Sequence, residues 1–254
     1  TTGCLIWRVL HFGVEFATAF YVAALSLPFF SEMTMANMSV YPMELNVDRS
    51  GAAQIKVASK TDDIQFIRVR QKKILNPGTA QEKEIDVASW KEGGVVVTPE
   101  KFALAAGAMR VVRLVSLIPP KKETTWRVYF EGVKQPDSII PGKAETPAAM
   151  ATLGVNVIWG ALVHIAPEEN VISLSIDPRR GTLKNNGTLR VPLREIGICD
   201  AVSSCKWIKE DATIYPDTER KLKTLTMKQG QKYKFRYFNW VNKTAEEADL
   251  PVVQ

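Results

Sequence analysis

Residues Leu153 to Val163, LGVNVIWGALV, constrain this chain more than any other stretch. Leu153, Val155, Val157, Trp159, Ala161 and Val163 recur at every second position, with Gly154, Asn156 and Gly160 between them. That is the period of a β-strand. Ile158 and Leu162 add apolar groups to the second row, so the strand is either buried on both faces or presents one face to a partner. Two glycines inside a strand often mark a place where another backbone comes close. A central strand of an all-β core and a strand left open for a partner both satisfy the period. The preceding segment Lys134 to Ala149, rich in Pro, Gly and small residues, reads as a long loop and favours the second.

From Ser39 onward short strands alternate with turn residues. The pattern predicts strands at Ser39–Val47, Ala53–Ala58, Ile64–Leu75, Val95–Thr98, Met109–Ser116, Thr125–Lys134 and Leu153–Val163, punctuated by Asp48-Arg49-Ser50-Gly51, Asn76-Pro77-Gly78, Ala106-Gly107 and Pro119-Pro120. Seven strands over about 125 residues is the count of an immunoglobulin-like sandwich. After Pro167 the pattern restarts with Val171–Ile176, Gly187–Leu193, Arg194–Cys199, Lys206–Trp207, Lys221–Met227 and Lys232–Trp240. A second, smaller β-sandwich is expected there, with the hinge near Ala166-Pro167-Glu168. The chain thus divides into a leader over residues 1–36, a first domain over 37–167 and a second over 168–254.

The leader differs from everything after it. Phe16 to Ser31 is uncharged and mostly apolar, and Thr34 and Ala36 stand at the small-residue positions that precede a signal-peptidase cut. We read residues 1–36 as an export signal, with an uncleaved anchor as the competing reading; the apolar run is short for a membrane span. Export places Cys199 and Cys205 in an oxidising compartment, and the even pair, six positions apart, is expected to form a disulfide. A zinc site is not expected, because His164 is the single histidine left after the leader.

The 254 residues carry a formal charge of +6, but basic and acidic residues are interleaved, as on a solvated surface and unlike a nucleic-acid-binding stripe. No G-x-S-x-G elbow, P-loop, G-x-G-x-x-G or H-E-x-x-H occurs, so neither an enzyme, a cofactor nor a small-molecule substrate is expected. His164, at the end of an apolar strand, reads as a structural or interdomain imidazole. Glu123, Glu131 and Asp137 read as solvated acids.

Several of these stretches together resemble a known family. Val97-Thr98-Pro99, Leu104-Ala105-Ala106-Gly107, Arg113-Leu114, Arg127 to Glu131 and Leu153 to Val163 look like a periplasmic pilus chaperone of the chaperone–usher pathway. Tyr41-Pro42, Lys72-Lys73-Ile74 with Asn76-Pro77-Gly78-Thr79, and Trp126 to Glu131 are most similar to its alternate branch, which assembles class 5 fimbriae. The resemblance implies an all-β protein of two immunoglobulin-like sandwiches in a boomerang arrangement. It implies that the last strand of the first domain completes an unfinished pilin fold and that the complex is passed to an outer-membrane usher. The donated row would be Leu153, Val155 and Val157, with Trp159 as a fourth.

The family also holds the pilin's terminal carboxylate with two basic residues. Here the predicted first strand has no Lys or Arg, and Asn156 stands at the second position, so Arg127 is the candidate anchor, with Arg113 next. Whether unbound copies cap one another as a homodimer is open. A secreted pilus subunit or adhesin is the alternative function, and an exported enzyme a third.

Overall fold

The computed structural model describes residues 38–87, 93–133, 157–200, 204–223, 228 and 230–253. The expected export signal, the loop 134–149, Leu153 and Val155 lie outside these residues. Every element among them is a strand.

The first sandwich contains β1 (Met38–Tyr41), β2 (Glu44–Val47), β3 (Ala52–Ser59), β4 (Gln65–Leu75), β5 (Lys83–Ile85), β6 (Val96–Thr98), β7 (Lys101–Leu104), β8 (Met109–Val115), β9 (Thr124–Val133) and β10 (Ile158–Ile165). One sheet has the order β1-β3-β8-β6; the other runs β2-β10-β9-β4-β5, with β7 also on β4. The predicted strand Ser39–Val47 is two strands in different sheets. Pro42 lies between them and has no N–H to give to a ladder, so the chain crosses from one layer to the other there. β5 and β7 are additional to the expected strands. They are three and four residues long, too short for their period to stand out.

Inward rows from both layers make the core. Ile67 and Val69 from β4, Val112 and Leu114 from β8, Trp126, Val128 and Phe130 from β9, and Ala161, Val163 and Ile165 from β10 are all buried in it. Trp126 also donates its indole N–H to the Gly93 carbonyl at 2.7 Å, tying β9 to the loop beside it.

The second sandwich contains β11 (Leu174–Asp177), β12 (Thr182–Asn185), β13 (Val191–Cys199), β14 (Cys205–Ile214), β15 (Glu219–Lys221), β16 (Lys232–Asn239) and β17 (Thr244–Asp249). Its sheets are β11-β12-β15 and β14-β13-β16-β17. Its core is separate, built on residues such as Leu174, Ile176, Ile196, Phe235 and Tyr237. The two predicted segments 187–193 and 194–199 are one strand, β13. A register shift between Leu193 and Glu195 breaks its alternation, which is why the sequence reads as two pieces. β14 runs well past the predicted Lys206–Trp207; its outward residues there are charged, Lys209 and Asp211 pairing at 3.0 Å, and carry no hydrophobic period to read. β17, with the sequence TAEEAD, was not expected; an edge strand of this polarity carries no hydrophobic period.

Between the two cores lies a small third cluster of Ala166, Leu189 and Trp240. Cys199 and Cys205 are register partners at the end of the β13–β14 hairpin and form a disulfide. The loop-entropy model assigns so short a ring about 2 kcal/mol of stabilisation. Replacing both cysteines with alanine is expected to lower the unfolding free energy by about that amount in equilibrium urea titrations, without loss of the β-rich circular dichroism spectrum.

Candidate functional site

The two edges of β10 are covered unequally. On one side β9 pairs with it along its whole length, from Ile158 opposite Glu131 to Ile165 opposite Thr124. On the other side β2 pairs with it in parallel, and only from Leu162 to Ile165. The Leu162 N–H donates to the Met43 carbonyl at 2.7 Å and the Ala166 N–H to the Val47 carbonyl at 2.9 Å. Backbone groups of a strand alternate in direction, so the same parity points the N–H and C=O of Gly160 and Ile158 to the side away from β9. Among the described residues no strand pairs with them there.

Side chains follow the complementary alternation. Ala161, Val163 and Ile165 point into the core, and Trp159 packs against the edge of that core. The Trp159 indole N–H is buried with no partner among the described residues. Val157, half-buried, continues the same row. Of the four residues expected to form a donated row, Val157 and Trp159 are therefore in phase with the domain's own core. On the opposite row Ile158 is 46% exposed.

That opposite row shares the outer face of the sheet with Arg127, which lies beside Leu162 and, on its other side, Lys72. Gly160 makes room for it. A Cβ at Gly160 would lie 3.1 Å from Arg127 Cδ and 3.1 Å from Tyr129 Cε1. The Arg127 guanidinium is 3.4 Å from Glu84 and 3.7 Å from Glu82. Tyr129 donates its hydroxyl to Glu84 at 2.6 Å; burial, and next this hydrogen bond, push its phenol above the ordinary range. Arg113 is on β8, in the other sheet, exposed and with Gln54 and Thr98 as register neighbours. The flanking Val112 and Leu114 point inward, so Arg113 faces out of the sandwich on the side opposite Arg127. The two arginines do not converge.

Beyond Leu162 the sheet face is closed by charged groups that join the two sandwiches. Glu123 was expected to be a solvated acid, but its side chain is fully buried. Its carboxylate accepts the Arg190 guanidinium, the Arg190 backbone N–H at 2.9 Å and the Trp240 indole N–H at 3.2 Å. Arg190 also donates to Asn46 Oδ1 at 2.7 Å and stacks with its Cζ 4.8 Å from the Trp240 ring centre. The sequence offered no signal for Arg190, since its partners lie 67 and 144 positions away.

His164, fully buried, is the predicted interdomain imidazole. Its Nε2 lies 3.2 Å from Glu44, its Nδ1 3.2 Å from the Thr125 hydroxyl, and its ring 5.9 Å from that of Tyr215. A neutral ring with its proton on Nε2 fits these partners, donating to Glu44 and accepting from Thr125. Burial pushes the His164 pKa down, against the opposing hydrogen bond to Glu44 and with Arg190 acting in the same direction as burial. Burial also raises the Tyr215 phenol to about 12.

Two outcomes are expected from this cluster. Arg190→Ala leaves the Glu123 carboxylate buried without its cation and should destabilise the fold by about 3–5 kcal/mol in urea titrations. Acidification below about pH 6.5 protonates His164 in the unfolded chain before the folded one, so stability falls as the pH drops through that range. In His164→Gln the loss between pH 7 and 5, followed by thermal unfolding, should be shallower.

No family model matches the chain. A CFA/I fimbrial protein of Escherichia coli, named as one of the subunits of that fimbria, is 37% identical over 208 residues, 78% of this chain and 84% of that protein. The crystal structure of the class 5 fimbriae chaperone CfaA superposes with a TM-score of 0.68 at 30% identity, covering 84% of this chain and 99% of that one. A chain from a chaperone–tip adhesin complex of CFA/I fimbriae biogenesis superposes with a TM-score of 0.67 at 31% identity, over 85% and 99% of the two chains. With identity of 30% or more sustained over most of both chains, this chain belongs to the class 5 fimbrial chaperones.

Proposed function

We propose that this chaperone holds fimbrial subunits by adding β10 and the residues before it to an incomplete subunit sheet. The observation that carries the reading is the half-covered edge of β10, where β2 closes the strand from Leu162 onward and the backbone of Ile158 and Gly160 faces outward. A guest strand pairing there gains main-chain hydrogen bonds that are indifferent to its sequence. Leu153, Val155 and Val157, in phase with the buried row of β10, are the side chains that fill its pockets. Burying three such groups contributes on the order of 5 kcal/mol before ordering costs. Trp159, packed on the chaperone's own core, marks the end of the donated row.

The same geometry supports Arg127 as the anchor. A guest strand running parallel to β10 meets the start of β2 beside Leu162, and Arg127 is the register neighbour of Leu162. Its guanidinium is suited to a terminal carboxylate arriving there. Arg113, on the far face, is outside its reach. The proposal includes export by residues 1–36, residence in the periplasm, a first domain over 37–167 and a second over 168–254, and delivery of the client to an outer-membrane usher.

Co-expression with the pilin of the same fimbrial gene cluster tests the site. Wild-type chaperone should leave the periplasm in a one-to-one complex. Val155→Asp should abolish that complex while the free protein melts at the wild-type temperature; a complex retained by this variant refutes the proposed strand.

A further inference from the structure

Arg127 is engaged before any client arrives, and the way it is engaged is specific. Glu82, Glu84 and Asp86 alternate along the segment that includes β5, so all three carboxylates fall on one row. Glu84 and Glu82 approach Arg127 at 3.4 and 3.7 Å, and Asp86 approaches the neighbouring Lys72 at 3.6 Å. These contacts are longer than a charge-assisted hydrogen bond, which runs about 2.7–2.9 Å. Arg127 and Glu82 are each about a third exposed and Glu84 about a quarter, so water and an incoming group reach them. The two glutamates are held from elsewhere. Glu84 accepts the Tyr129 hydroxyl, and Glu82 accepts the Gly78 N–H at 2.8 Å across the turn that leads into the segment. The acids are thus fixed at a distance where they neutralise the guanidinium without saturating its five donors.

We propose that Glu82 and Glu84 are stand-ins for the client's terminal carboxylate. They occupy the field of Arg127 in the free chaperone, compete with the client for it, and set how firmly the client's end is held. This rests on the reading of Arg127 as the anchor. A bound chain end meets a guanidinium whose charge two held carboxylates already partly neutralise, so its net gain is smaller than that of a carboxylate meeting a bare arginine. The hold stays reversible, as handing on a client requires. A chain end capped as an amide brings no charge to the guanidinium, so the stand-ins weaken the hold on a free terminus and leave the amide unaffected.

The probe is a synthetic peptide matching the C-terminal strand of the pilin that co-purifies with the chaperone, made with a free carboxylate and as the amide. Binding is measured by fluorescence anisotropy at fixed ionic strength. Glu84→Gln keeps the acceptor for Tyr129 and should tighten the carboxylate peptide about two- to fivefold, the range of one partly exposed ion pair. Glu82→Gln/Glu84→Gln should tighten it further, and the amide should respond to neither. In an Arg127→Ala background the gain should vanish. A control, Asp249→Asn on β17 of the second sandwich, removes the same charge beside Cys199 and Lys232. An equal gain from Asp249→Asn, or a gain that survives Arg127→Ala, overturns the inference as bulk electrostatics. Weakening by Arg127→Ala with no gain from the glutamine variants overturns it while leaving the anchor in place. If Arg127→Ala binds like wild type, the anchor reading falls and this inference with it.

Discussion

A strand must satisfy two rows of backbone hydrogen-bonding groups, and among the described residues β10 has a partner for only one of them along its first half. β9 takes one edge throughout, whereas β2 reaches the other edge at Leu162 and stops. β2 reaches no further because the chain at Pro42 leaves one sheet for the other, so the residues before it, in β1, pair with β3 instead. The crossover at Pro42, between β1 and β2, thus falls where β2 begins to cover β10. An open edge is a hazard in an ordinary protein and an asset in one that assembles others.

The second feature the molecule depends on is the buried charge cluster between the sandwiches. Glu123, Arg190, Trp240, Asn46 and His164 come from both sandwiches and from five separate stretches of chain. A buried ion pair is a weak source of net stability but a strict one in geometry, because every lone pair and N–H must find its partner. Here Arg190 finds its partners in Glu123, Asn46 of β2 and the Trp240 ring. The cluster thus fixes the floor at the closed end of β10, where Arg127 and the half-covered edge meet.

Much of the fold was legible in the chain because the period of a strand is a local property. The rows of β3, β4, β8 and β9 were readable to within a residue or so at each end, since each alternates apolar and polar groups without help from its neighbours. The short β5 and β7 and the charged β17 were not readable, because they are strands only by virtue of what they pair with. The site divided in the same way. Parity alone put Val157 and Trp159 on one row of the strand. Antiparallel pairing put Arg127 beside the end of that strand, and only the tertiary structure separates it from the second-ranked Arg113, which lies on the opposite face. Likeness to known fimbrial proteins then placed the chain among the chaperones and not among the subunits those chaperones serve.

The sequence by itself determined the strand period, the turns, the pairing of Cys199 with Cys205, and which row of residues 153–163 is apolar. These are set by side chains within a few positions of one another. Tertiary structure decided which edge of β10 stays open, which arginine shares its face, and that Glu123 is buried. Those outcomes depend on contacts between residues 27 to 144 positions apart, where packing and the alternation of backbone groups, and no local pattern, select the partner.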